Sequence, residues 1–262
     1  MIRLGPAGSG GLGNLEGVKK AKAFGLDAME VEFTYGVQIS NAQAKAVGEI
    51  AKALGIALSV HAPYYVNLAS FERDKISQSK KRILLSAERA HYLGARYVVF
   101  HAGFYQGRPE KEIYVIIKKE IKDMLRTIKR KKWNIALAPE TTGKKSQFGS
   151  LEELLRLRKD TGCELCVDFA HILAREGAIK YEEVFKKLKK IKHVHAHFSG
   201  IEYTNKGERR HLITGTRELE SLLEHAVKSK IDMTIINESP GPVSDSLKAR
   251  KILNSLCKKG KT

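Results

Sequence analysis

The sequence predicts an α/β protein built as one closed (β/α)8 barrel, on three observations. Short apolar runs alternate with amphipathic segments, the pattern of a parallel sheet buried on both faces. The alternation recurs about every 30 residues, the size of one βα unit. Eight such units fill the 262 residues, the span of a TIM barrel. An open doubly wound sheet is the alternative. It is disfavoured because the Gly-rich GSGGLG at 8–13 lacks the helix and acidic partner of a dinucleotide-binding turn. No linker or low-complexity stretch interrupts the chain, so residues 1–262 read as a single domain.

The first strand is IRL at 2–4. Asn14 offers an N-cap for a helix whose apolar positions Leu15, Val18, Ala21 and Phe24 recur every three residues, with Gly25 as its stop. MEVEF at 29–33 is the second strand, followed by a helix marked by Ala44, Val47, Ile50 and Leu54 and stopped by Gly55. IALSVH at 56–61 is the third, with a long loop and a helix ending at Gly94; YVVFH at 97–101 is the fourth, and Ile113, Ile117, Ile121, Leu125 and Ile128 space its helix. WNIALAPE at 133–140 is the fifth, and Ser150 with Glu153 forms a capping box for the next helix. ELCVD at 164–168 precedes a helix through Val184 and Leu188, HVHAHF at 193–198 one through Leu219, Leu222 and Ala226, and MTIINE at 233–238 a final helix begun at Ser244.

A hydrophobic share of 42% marks a soluble globular chain. The opening MIRLGPAGSGG carries no signal-type apolar region and no window reaches the roughly 18 apolar residues of a membrane span, so a cytoplasmic location is expected. Three cysteines give no disulfide framework, and the Cys163/Cys166 pair lies in a strand segment where i and i+3 face opposite ways. Lys and Arg number 47 against 29 Asp and Glu, a net charge of +18. That balance suits a protein that meets polyanions, nucleic acid first, although Lys-rich helix surfaces such as KKEIKDMLRTIKRKK contribute without any partner.

The ends of the predicted strands carry the chemistry. In a (β/α)8 barrel those ends converge on one rim, where active sites form. Here they bring His61, His101, Glu140, Asp168 and Glu238, with His171 and His211 in the loops that follow strands six and seven. Strand seven adds His193, His195 and His197, which alternate with apolar residues and so share one face. Carboxylates crowded on one rim repel one another, and the imidazoles among them are shifted in pKa, unless cations hold them. The donors are nitrogen and oxygen and too many for one tetrahedral ion, so three metals are expected, two at minimum, with Zn2+ first and Mn2+ as the substitute. Paired divalent ions polarise water and offset charge in an in-line displacement at phosphorus, which with the basic surface points to phosphodiester hydrolysis.

HAPYYVN at 61–67, VVFHAG at 98–103, LAPETTG at 137–143, CVDFAH at 166–171, HAHFSG at 195–200, ERRH at 208–211 and INESP at 236–240 together resemble the endonuclease IV family of apurinic/apyrimidinic endonucleases. The resemblance covers the whole barrel in order. It implies that His61, His101 and Glu140 hold one zinc ion, and that Glu140 bridges to a second held by Asp168, His195 and Glu238. A third would take His171 and His211 with Glu208, which stands one residue farther from the histidine than the acidic partner of the family's D-x-H. Glu140 would act on the nucleophile, with Glu238 nearby. His193 and His197 are left with supporting roles.

Double-stranded DNA containing abasic sites is the implied partner, met by Tyr64 and Asn67 near the lesion, by Tyr35 in the loop at 34–40, which lacks the arginine that the family usually inserts, and by Arg209 and Arg210. The protein is expected to act as a monomer and to leave a 3′-hydroxyl and a 5′-deoxyribose phosphate. The rival reading is a metal-dependent sugar isomerase or epimerase on a related barrel.

Overall fold

The computed structural model describes residues 1–259. Eight parallel strands form its centre: β1 Ile2–Pro6, β2 Ala28–Glu32, β3 Ala57–His61, β4 Tyr97–Phe100, β5 Ala136–Pro139, β6 Cys166–Asp168, β7 His193–Phe198 and β8 Asp232–Asn237. Pairing runs β2-β3-β4-β5 and β6-β7-β8-β1. Single bridges, Ala7 to Glu30 and Glu140 to Cys166, close the two seams. The result is the closed barrel that the alternation predicted. At the first seam Gly5 is required: a Cβ there would stand 2.0 Å from the Ala28 carbonyl oxygen.

Nine helices surround the barrel among the described residues: α1 Asn14–Ala23, α2 Asn41–Leu54, α3 Arg73–Leu93, α4 Glu110–Lys131, α5 Leu151–Thr161, α6 Phe169–Glu176, α7 Tyr181–Leu188, α8 Thr216–Ser229 and α9 Pro242–Lys259. The main core lies between them and the strands, where Val18, Ile83, Ile113, Ile117 and Leu222 meet Met29, Val98, Phe100 and Ile235. A small second cluster of Tyr97, Val99, Ala138 and Cys166 sits apart from that layer.

Several boundaries differ from expectation. Asn14 is the first residue of α1, and its N-cap is Gly13 without a side-chain bond. The fifth strand begins at Ala136 because Trp133 still folds back onto α4, its N–H bonded to the Ile128 carbonyl. Proline at the first helical position starts α9 two residues before Ser244. The Ser150–Glu153 capping box is present. Between β6 and α7 an additional helix, α6, begins without a loop. The Asp168 side chain caps it, accepting from the His171 N–H at 2.7 Å. After β7 the chain makes an antiparallel hairpin, Gly200–Thr204 with Gly207–Leu212, where a loop was expected.

Candidate metal centre

At the C-terminal end of the barrel the strands deliver their last residues to one place. Glu140, fully shielded from solvent, is the hub. Its Oε2 lies 2.9 Å from His101 Nε2 and 3.3 Å from His61 Nε2, and its Oε1 lies 2.9 Å from His197 Nδ1. His197 Nδ1 is also 3.1 Å from Glu238 Oε1. Asp168 Oδ2 stands 3.4 Å from His171 Nδ1 and has no hydrogen-bond partner although it is completely buried. His171 Nε2 in turn faces Glu208 Oε2 at 3.4 Å and His211 Nε2 at 3.3 Å.

Donor atoms spaced to hold a metal ion therefore occur in adjoining groups: His61, His101 and Glu140; Glu140, Asp168, His197 and Glu238; Asp168, His171 and His211. Glu208 completes the last. Gly143 leaves room for it, since a Cβ at 143 would fall 2.7 Å from the Glu208 Cβ and 3.0 Å from His171 Cδ2.

The hydrogen bonds of the rings test whether a cation fits. Nδ1 of His61 meets the Ala62 carbonyl at 2.7 Å, Nδ1 of His171 the Thr141 carbonyl at 2.9 Å, and Nδ1 of His211 the Glu238 carbonyl at 3.0 Å. A carbonyl only accepts, so each Nδ1 carries the proton and each neutral ring turns a bare Nε2 inward. Two such lone pairs, on His171 and His211, then point at each other, and that of His61 points at a carboxylate. The arrangement requires a positive species between the donors. Without a metal, protons supply it. Burial pulls His61 down, yet Glu140, Glu32 and Glu238 outweigh burial and hold it up at about 10. His171 and His197 are likewise held well above the ordinary imidazole range against burial, by Asp168 and Glu140 at the former and chiefly by Cys166, Glu238 and Glu30 at the latter. Burial alone would raise Glu140, but His197 and His101 hold it well below the usual carboxylate range. Asp168 goes up, through burial first.

His195 does not join the donors where the second ion was expected; His197 occupies that place. All three histidines of β7 do face inward, but inward positions follow at about 6.6 Å along a strand, and only one reaches the rim layer. Register decides which. His197 lies opposite Asp168, whereas His195 lies one step deeper, opposite Cys166. There its ring stacks on Tyr97 at 5.0 Å and its Nε2 contacts Glu30 Oε2 at 2.9 Å. Burial is the main cause that keeps His195 below the ordinary imidazole range. His193, deeper again, bonds to Thr234 Oγ1.

The sequence reading missed two acidic groups on β2. Glu30, wholly buried, places Oε2 on His195 and Oε1 2.8 Å from His197 Nε2, on the far side of the His197 ring from Glu140. A carboxylate behind a donor histidine fixes which nitrogen carries the proton and how the ring lies. Glu32 stands with Glu30 and Glu238; burial pushes its carboxyl up to about 8. The signal was present, since MEVEF alternates acid and apolar residues as HVHAHF alternates histidine and apolar ones.

The residues expected to meet DNA are spread around this rim. The Tyr64 ring, 56% exposed, lies 5.5 Å from that of His61. Asn67 accepts from the Ala69 N–H within its own loop and donates to Gln106 in the loop after β4. Tyr35 is 82% exposed beyond β2. Arg209 and Arg210, on the hairpin, both hold Glu202. The same hairpin is bridged to the loop after β5 between Gly207 and Lys144.

Residues 18–258 match the model of the xylose isomerase-like TIM barrel family. The chain belongs to that family. It is 35% identical over 244 residues to an uncharacterized protein of Methanocaldococcus jannaschii, covering 88% of each. It is 29% identical to a probable endonuclease 4 of Metamycoplasma arthritidis, over 72% of this chain and 74% of that one. Among solved structures, endonuclease IV from Thermus thermophilus superposes with a TM-score of 0.75 at 23% identity, covering 98% of this chain and 99% of that one. A D-psicose 3-epimerase superposes with a TM-score of 0.69 at 14% identity, covering 99% and 98%. At these identities the superpositions speak for the fold alone. No helix among the described residues is long and apolar enough to cross a membrane.

Proposed function

We propose that this chain is a divalent-metal-dependent apurinic/apyrimidinic endonuclease of DNA base excision repair. It would hydrolyse the phosphodiester bond 5′ to an abasic site and leave a 3′-hydroxyl and a 5′-deoxyribose phosphate. The observation that carries this is the chain of adjoining donor groups on one rim, sharing Glu140 and Asp168. The likeness to probable endonuclease 4 sequences supports it. His61, His101 and Glu140 would hold one ion, Glu140, Asp168, His197 and Glu238 a second, and His171, His211 and Glu208 a third, zinc being the metal this donor mix favours and manganese the substitute. When bound, such ions polarise a phosphoryl oxygen and lower the pKa of water.

The protein's own groups would do the rest. Glu140, between two groups, would orient or deprotonate the attacking water, with Glu238 nearby. The exposed Tyr64 borders an abasic nucleotide turned out of the duplex. Lys144, Arg209 and Arg210 lie within reach of phosphates on either side, making binding salt-dependent. A monomer in the cytoplasm is consistent with this work.

One observation favours the rival, a metal-dependent sugar isomerase or epimerase: Glu30 and Glu32 make the barrel mouth richer in carboxylates than hydrolysis needs. The test is incubation with a duplex carrying a single abasic-site analogue, alongside Glu140→Gln and chelator-treated samples. Cleavage 5′ to the lesion, lost in both controls, is expected. Metal-loaded protein that leaves the duplex intact and interconverts ketohexoses would establish the rival instead.

A further inference from the structure

The basic residues behind the net charge of +18 include a dense group away from the rim. Helices of a (β/α)8 barrel run back from the rim, so their last turns and the loops that enter the strands form the opposite pole. First turns here carry acids, such as Glu110 and Glu112 in α4, Glu152 and Glu153 in α5 and Glu182 and Glu183 in α7, while last turns carry bases. The densest stretch lies under β5 to β8: Lys129 to Lys132 close α4, Lys189, Lys190 and Lys192 lead into β7, and Lys228 and Lys230 lead into β8. All are exposed.

The acidic side chains of that pole, Asp27, Asp160, Glu164 and Asp232, are each taken up, by Arg250, Lys118, Arg158 and the N-terminal amine. Helix dipoles account for a cation in a last turn, but their effect fades within that turn. They give no reason for Lys190 and Lys192, which stand beyond the C-cap of α7. Nor is this a stabilising ion-pair network, which would bring Glu alongside Lys.

We propose that the pole opposite the metal centre is a second nucleic-acid face, which binds the phosphate backbone of duplex DNA without regard to sequence or damage. Four neighbouring strands at about 4.8 Å spacing spread these loops over at least roughly 15 Å, comparable with the roughly 12 Å between phosphate rows across a major groove. A bilayer is the less suited polyanion: the large apolar side chains exposed there, such as Phe24 and Tyr92, are scattered, and Phe24 lies under Lys20.

The test is fluorescence anisotropy of the full chain with an undamaged duplex in the presence of chelator, so that its result is independent of any reaction at the rim. Lys189, Lys190 and Lys192→Gln is compared with Lys45, Lys75 and Lys111→Gln, which removes equal charge from helix segments nearer the rim. Both are checked for an unchanged thermal melt. The expected result is a loss of at least about tenfold in affinity at 0.1 M salt for the pole variant, with a salt dependence shallower by about one per phosphate contact removed, and a much smaller loss for the comparison. Equal losses in the two variants would show an effect of net charge alone and overturn the proposal. So would undiminished DNA binding by the pole variant, or binding of the wild type to anionic phosphatidylserine vesicles and not to duplex.

Discussion

Replacing Glu30 by Gln tests how the candidate centre is held from below. The Glu30 carboxylate is fully buried and spans two imidazoles, His195 at 2.9 Å and His197 at 2.8 Å. Burial alone would raise Glu30, but these two rings hold it well below the usual carboxylate range. Gln fills the same space and removes the charge, leaving one ring facing an amide N–H2. Hydrogen bonds to a charged partner contribute about 1.5–3 kcal/mol each. Only the His195 contact has hydrogen-bond geometry, so the expected loss in the metal-free protein is about 1.5–3 kcal/mol, read as a lower midpoint in urea unfolding. In the metal-loaded protein the freed His197 ring should weaken zinc binding about 10- to 100-fold, the usual result of removing the partner behind a ligand histidine. Competition with a chromophoric chelator measures this directly. Glu30→Asp, which keeps the charge but shortens the reach, should lie between the two. Wild-type zinc affinity in a folded Glu30→Gln protein would refute the assignment of Glu30 as the group that orients His197.

Three further outcomes follow from the same geometry. His197→Asn should abolish one zinc equivalent and most activity, whereas His195→Asn, one layer deeper, should keep full zinc stoichiometry by elemental analysis; the reverse result would restore the order expected from the sequence. Gly143→Ala should displace Glu208, whose Cβ lies 2.7 Å from the new methyl position, costing about 1–3 kcal/mol and the zinc equivalent held with His171 and His211. The pH dependence has a definite sign. In the metal-free protein His61 is raised to about 10 and Glu32 to about 8. Their contributions are present below the unfolded values and are lost as pH rises toward 8 to 10, while those of Glu30, Glu140 and Glu238, which are lowered, are lost as pH falls through the acid range. Metal-free Tm should therefore peak between about pH 5 and 7. Zinc, which competes with those protons, should stabilise more strongly as pH rises.

Most of the barrel was legible because a parallel strand covered on both faces must be a short apolar run, and an amphipathic helix must follow it; YVVF and the Ile series of α4 could hardly be anything else. Short elements hidden by double use were not legible. Asp168 ends β6 and caps α6 at once, so no loop composition announces the helix. GIEYTNKGERRHL has the polar content of a loop but pairs as a hairpin, because Gly207 takes a positive φ, approaches the Gly143 carbonyl and brings Glu208 and His211 back over the rim.

At the site, the residue types were readable at strand ends and the depth was not. His195 and His197 are equivalent in period and differ only in register against β6, a contact made across more than twenty residues of chain. Glu30 and Glu32 escaped for the same reason, since alternation shows a shared face without showing that the face is the lumen. Nor does net charge show position, and a dense group of lysines lies at the pole away from the donors.

The central claim is that the rim donors hold divalent ions for phosphodiester hydrolysis beside an abasic site. The most direct measurement is a titration of metal-stripped protein with zinc while cleavage of a single-site abasic duplex is followed by end-labelling. Cleavage should be negligible without zinc, rise to a plateau at two to three equivalents per chain, and yield a 3′ end that a DNA polymerase extends. A protein that takes up two or three zinc ions and never cuts the duplex would contradict the claim, as would full cutting before any zinc is added.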